Sequence, residues 1–153
     1  MKKNKAIIRL HTECIESTEK GVLVKPKTIT VTELTRVVIE GIGLSFNKVY
    51  MTSKALKHCY DKRDPMEYDF VIQHLKEVVR FPEMILENQP SQRGKFCFVK
   101  TIKKVTVMVS LEEVEEGDIK GNFVVTAYRI KKPINYFRDY RILWSWEDGN
   151  PPS

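Results

Sequence analysis

The sequence is short of the residues that most readily declare a chemistry. Its three cysteines, Cys14, Cys59 and Cys97, are odd in number and form no C-x-x-C pair. That argues against a disulfide framework and a zinc knuckle and predicts reduced thiols packed as small core residues. The three histidines, His11, His58 and His74, show no H-x-H or H-E-x-x-H spacing, so no metal site is expected. Gly41-Ile42-Gly43 lacks the third glycine of a dinucleotide loop, and no G-K-[ST] occurs, so no nucleotide cofactor is expected either. No apolar run approaches the ~18 to 20 residues of a membrane-spanning helix. Met1 to Lys5 is basic, but the apolar stretch behind it, Ala6 to Leu10, is broken by Arg9 and is shorter than the ~7 to 15 residues of a signal-peptide core. A cytoplasmic protein without a membrane partner is the expectation.

What is present is enough to fold. A chain of 153 residues that is 42% hydrophobic and 10% aromatic can bury one core and is not globally disordered. Lysine and arginine outnumber aspartate and glutamate by 26 to 20, a net charge of +6, which makes polyanions the first partner to consider.

Periodicity divides the chain into a helical first half and a β-rich second half. Ala6 to His11 and Gly21 to Lys25 are short runs of Ile, Val and Leu that could pair as strands. Thr30-Val31-Thr32-Glu33 fits a capping box, with Leu34, Val37 and Val38 at helical spacing until Gly41 and Gly43 stop the run. Lys48 to Met51 reads as a brief strand. Thr52 or Ser53 then caps a helix to Lys62, with Ala55, Leu56, Cys59 and Tyr60 inward and Lys54, Lys57, His58 and Asp61 toward water. Asp64-Pro65-Met66-Glu67 combines an N-cap, a first-turn proline and a capping glutamate, and predicts a helix that ends at Phe81-Pro82. From Arg93 the period becomes two. Phe96 to Ile102, Val105 to Leu111 and Phe123 to Ile130 predict three strands of an antiparallel meander. Lys103-Lys104 lacks the residues of the tightest hairpins and suggests a wider turn, and Glu112 to Gly121 reads as an exposed connection. Pro133 to Glu147 predicts a short helix and a last strand. The class is α+β, with a domain over 47–147, an N-terminal extension over 1–46, and a frayed tail over 148–153.

Two stretches concentrate positive charge. Arg93, Lys95, Lys100, Lys103 and Lys104 put five cations and no acid into twelve residues, interleaved with Phe96 and Phe98, and Arg129 to Arg141 adds five more cations against Asp139. Cations meet phosphates and rings stack on unpaired bases, so the pattern suits RNA; it equally fits strands with aromatic core residues and solvated lysines. His58, at the polar edge of its helix, can exchange protons near neutral pH, or can be an ordinary surface or capping histidine. His74 falls between Phe70 and Val78 on the apolar stripe and reads as a packed, hydrogen-bonded core residue.

Several segments together resemble a known family. Thr52-Ser53-Lys54-Ala55-Leu56-Lys57-His58-Cys59-Tyr60-Asp61-Lys62, the capped helix to Pro82, Arg93-Gly94-Lys95-Phe96-Cys97-Phe98-Val99-Lys100, Val124-Val125-Thr126-Ala127-Tyr128-Arg129 and Leu143-Trp144-Ser145-Trp146 occur in an order that resembles the phage-type nuclease domains of the barnase, EndoU, colicin and RelE-like superfamily. The resemblance covers about two thirds of the chain and rests on short motifs in sequence order. It implies helices packed on a four-stranded antiparallel sheet, metal-independent cleavage of RNA, and a toxin-like or phage-borne effector with an inhibitor or antitoxin protein as a further partner. The family's lysine-histidine pair matches Lys57 and His58, its arginine-glycine entry to the sheet matches Arg93, and its late-strand threonine matches Thr126, with Tyr128 and Arg129 close by.

Chemistry alone points the same way. RNA carries its own nucleophile, so cleavage needs a proton acceptor for the 2′-hydroxyl, cations for the phosphate and a proton for the leaving oxygen. The expected catalytic set is His58, Arg93, Lys100, Thr126 and Tyr128, with Lys54, Lys57, Lys95 and Arg129 binding substrate. Thr126 and Tyr128 share a strand face by period two, whereas Arg129 points the other way unless a bulge intervenes. A noncatalytic RNA- or DNA-binding protein and a phage accessory protein-interaction domain are the alternatives.

Overall fold

Asp64 takes up the N-cap geometry its neighbours dictate. In the computed structural model, which describes residues 5–15 and 25–146, its carboxylate accepts from the Glu67 amide at 3.0 Å and opens a helix over Pro65–Arg80 that Phe81 closes. The other helices are α1 (Lys5–Cys14), α2 (Arg36–Ile42), α3 (Ser53–Lys62) and, after α4 (Pro65–Arg80), the single turn α5 (Pro133–Tyr136). The strands are β1 (Thr28–Glu33), β2 (Lys48–Thr52), β3 (Met84–Glu87), β4 (Phe96–Ile102), β5 (Val105–Glu116), β6 (Ile119–Ile130) and β7 (Ile142–Ser145).

The α+β class holds, but the sheet is not the four-stranded antiparallel one expected. It has seven strands in the order β1-β2-β6-β5-β4-β3-β7, and β2 runs parallel to β6 through Val49 and Tyr50 opposite Asn122 and Phe123. The brief strand expected at Lys48 to Met51 is present as β2 and the last strand as β7; β1 and β3, six and four residues long, go beyond the expectation, being too short for alternation to register strongly. Within the described residues, the stretch expected as an extension supplies β1, which pairs with β2, and buries Ile7, Leu10, Cys14, Val31, Leu34 and Val38 in the main core.

Several local expectations need correction. Ala6 to His11 lies in a helix, because Ile7, Leu10 and Cys14 recur at helical spacing and are the residues buried; Gly21 to Val24 and the tail 148–153 lie outside the described residues. The capping residue for α2 is Thr35, whose Oγ1 accepts from the Val38 amide, and Thr30 sits inside β1. Glu112 to Gly121 is no loose connection: both strands run on to a turn at Gly117, whose φ is +60°. Ile102 pairs directly with Val105, so Lys103 and Lys104 form a tight turn with φ of +50° and +67°, values that glycine or asparagine adopts at lower cost.

One face of the sheet packs on the helices. Phe98, Val109 and Ala127, aligned across β4, β5 and β6, join this main core. Cys97, Val99, Met108 and Ile130 face the other side, where Phe137 covers them. All three cysteines are free and buried. Phe96 and Phe98 are 5% and 0% exposed, so they are core residues and no base can stack on them. Among the described residues no helix is long and apolar enough to cross a membrane.

Candidate nucleic-acid cleft

Past Phe123, β6 pairs with no strand on its β2 side among the described residues, and an exposed backbone edge there would invite aggregation. The edge is closed by α3, α4 and the residue between them. Arg63 donates from Nε to the Ala127 carbonyl at 3.2 Å and from Nη2 to Thr126 Oγ1 at 3.4 Å, and the Arg129 amide donates to Glu67 Oε2 at 3.4 Å. Two adjoining hollows of about 860 and 430 Å3 open around this join, and both are lined by His58, Asn88, Gln92 and Arg93. The larger adds Lys54 and Lys95, the smaller Lys62, Arg63, Thr126, Tyr128 and Arg129.

Each side chain has a local reason to be there. The Thr52 hydroxyl accepts from the Ala55 amide at 3.1 Å, starting α3 so that His58 falls on its cleft side. Between β3 and β4, the Asn88 side-chain amide donates to the carbonyls of Arg93 and Gly94 at 2.8 and 3.1 Å. This ties the loop that presents the Arg93 guanidinium. Gly94 has φ of +87°, and a Cβ there would stand 2.8 Å from Ser110 Oγ, so only glycine lets the loop lie this close to the sheet. On β6 the register slips at Val125, leaving Thr126 opposite Ser110 and Tyr128 opposite Met108. Those two share a face, as expected, and Arg129 is directed to the other side, opposite Val107.

The charge balance is one-sided. Among the described residues, six cations and three acids, Glu67, Glu87 and Glu112, line the two hollows. Glu67 is paired with Arg63 at 3.3 Å and Glu87 with Arg141 at 3.6 Å. Partial burial lowers the His58 pKa below 6.5, and Arg93, Arg63 and Lys62 lower it further against the opposing pull of Asp61. The imidazole is therefore neutral at pH 7 and able to accept a proton. Tyr128 is shifted the opposite way, upward, by burial and by its 2.5 Å hydrogen bond to Tyr136, and stays a protonated phenol.

Of the residues expected in the site, His58, Arg93, Thr126, Tyr128, Lys54, Lys95 and Arg129 line one or both hollows. Two do not. Lys57 is buried, 4% exposed, with its Nζ 2.7 Å from Asp61 Oδ1 and over the Tyr60 ring, so it is not a substrate contact. Lys100 lies toward the far end of β4, where its Nζ pairs with Glu77 at 3.1 Å. Sequence reasoning missed Arg63 and Asn88. Arg63 stands just past α3 in extended backbone, so helical spacing from His58 gave no signal for it, and Asn88 acts through its backbone partners and offered none either. Compared with protein-family models, curated proteins and solved structures, the chain finds no match in any of the three.

Proposed function

We propose that this protein is a metal-independent endoribonuclease that cuts RNA by attack of the 2′-hydroxyl, in keeping with the nuclease superfamily its segments resemble. The observation that carries the reading is the placing of a neutral imidazole, His58, with Arg93, Arg63, Thr126 and Tyr128 around one hollow.

On this reading a phosphodiester enters against Arg93 and Arg63, whose guanidiniums offset the charge that builds on the phosphoryl oxygens. His58 takes the proton of the 2′-hydroxyl. The 2′-oxygen bonds to phosphorus, the bond to the 5′-oxygen breaks, and that oxygen takes a proton from the Tyr128 phenol; the proton held on His58 then returns through water to the phenolate, which resets both groups. The products are a 2′,3′-cyclic phosphate and a 5′-hydroxyl. Thr126 positions a phosphoryl oxygen through its hydroxyl, and Lys54, Lys95 and Arg129 hold the flanking backbone. An inhibitor protein would act by filling the same open cleft.

The test is cleavage of labelled single-stranded RNA in the presence of a chelator, with mass spectrometry of the ends. The expected result is a cyclic phosphate terminus and a loss of roughly 10²- to 10⁴-fold in His58→Ala, with RNA binding retained. Salt-sensitive binding without cleavage by the unaltered protein would leave a noncatalytic nucleic-acid binder. No binding even at low salt removes both nucleic-acid readings and leaves a protein-interaction domain.

A further inference from the structure

Beyond the two hollows the molecule carries a third, of about 480 Å3, at the junction of β6 and α5. It shares Tyr128 and Arg129 with the smaller catalytic hollow and continues past them to Lys131, Lys132, Asn135 and Tyr136. Arg129, Lys131 and Lys132 are exposed, and among the described residues none of them forms an ion pair with a carboxylate. The Tyr136 ring, 39% exposed, lines the same hollow. The ring is held from three sides. Tyr140 stacks on it at 5.9 Å and 27°, Phe137 meets it edge-on at 4.9 Å, and its hydroxyl bonds to that of Tyr128.

A ring already immobilised loses little freedom when a base stacks on it, and cations without acid partners are what a passing phosphate backbone requires. We propose that this hollow is a second nucleotide subsite, in which a base of single-stranded RNA stacks on Tyr136 while its phosphates rest on Lys131 and Lys132. The inference rests on the ribonuclease reading for the path of the strand, since the shared wall at Tyr128 and Arg129 is what joins the two sites. Stacking accepts any base, so the subsite supplies reach and affinity rather than sequence choice. It also favours unpaired over duplex RNA, whose bases are not free to stack.

The experiment uses the full chain with His58→Ala, so that the probe survives, and fluorescein-labelled oligouridylates of two and six nucleotides. With Tyr136 in place the six-mer binds more tightly than the two-mer. Tyr136→Ala should weaken the six-mer by about 5- to 150-fold, the span of stacking on one aromatic ring, and leave the two-mer unchanged. Tyr136→Phe, which keeps the ring and loses the hydroxyl bond to Tyr128, should restore six-mer binding. Lys131→Ala with Lys132→Ala should lower the salt dependence of six-mer binding by about one to two phosphate contacts. Equal effects of Tyr136→Ala on both lengths, or none on either, overturn the subsite while leaving the catalytic reading intact. A length effect as described in a protein that never cleaves RNA sinks the catalytic reading and leaves the subsite as a binding site. Failure of every form to bind RNA overturns both.

Discussion

The two ends of β4 each hold a histidine and a group of cations, and they use them differently. At the entry, His58 and Arg93 line two hollows and Lys95 the larger of them. Toward the exit, about 20 Å away by strand rise, His74 is 2% exposed against Phe70, with its Nδ1 3.9 Å from Glu77 and without a hydrogen-bond partner among the described residues. Glu77 instead takes Lys100, and Lys103 and Lys104 turn the chain. The residue types are alike, and only the nearby carboxylate and the openness of the surface differ. A cation cluster in sequence is thus a supply of charge, and the fold decides where it is spent.

The comparison breaks most plainly at the histidines. His58→Ala should cost roughly 10²- to 10⁴-fold in RNA cleavage, whereas His74→Ala should leave cleavage intact and lower unfolding free energy by about 1 to 3 kcal/mol through the lost packing. Labelled-RNA assays beside thermal melts distinguish the two, and equal losses of cleavage would erase the contrast. Among the cations, Arg93→Ala is expected to reduce kcat/KM by about 10²-fold, the cost of removing one preorganised donor to the developing charge, and Lys100→Ala to leave it unmoved.

The pH profile sharpens the same point. Because the folded pKa of His58 lies below 6.5, kcat/KM should rise with pH through an inflection under that value, and Arg93→Ala should move the inflection upward. His11, His58 and His74 are all lowered, by burial first. For each, the unfolded chain binds protons more readily, so stability is complete above 6.5 and declines as pH falls through it toward the folded values. Acid titration of the melting temperature checks the sign. The smallest effect belongs to the exit turn: Lys103→Asn with Lys104→Gly should stabilise by about 1 kcal/mol by relieving the left-handed backbone, without altering cleavage.

How much could be read in advance depended on how local the cause was. The cap at Asp64, the cap at Thr52 and the alternation of β4 to β6 are set within a few residues and were legible. Lys57 was not, because the helical wheel places it at the border of the polar face and its burial rests on contacts such as those to Asp61 and the Tyr60 ring. Lys100 misled because spacing along a strand says nothing of which helix end waits above it. The parallel join of β2 to β6 spans some seventy residues of chain and left no mark on either segment, and the β6 edge that Arg63 seals begins where that join stops, past Phe123.

Gly94 carries a consequence for recognising kindred chains. The positive group beside it can drift between arginine and lysine and still attract an anion, but no other amino acid can replace the glycine without lifting the loop from Ser110. In a search among distant sequences, the invisible residue is the more faithful beacon than its charged neighbour.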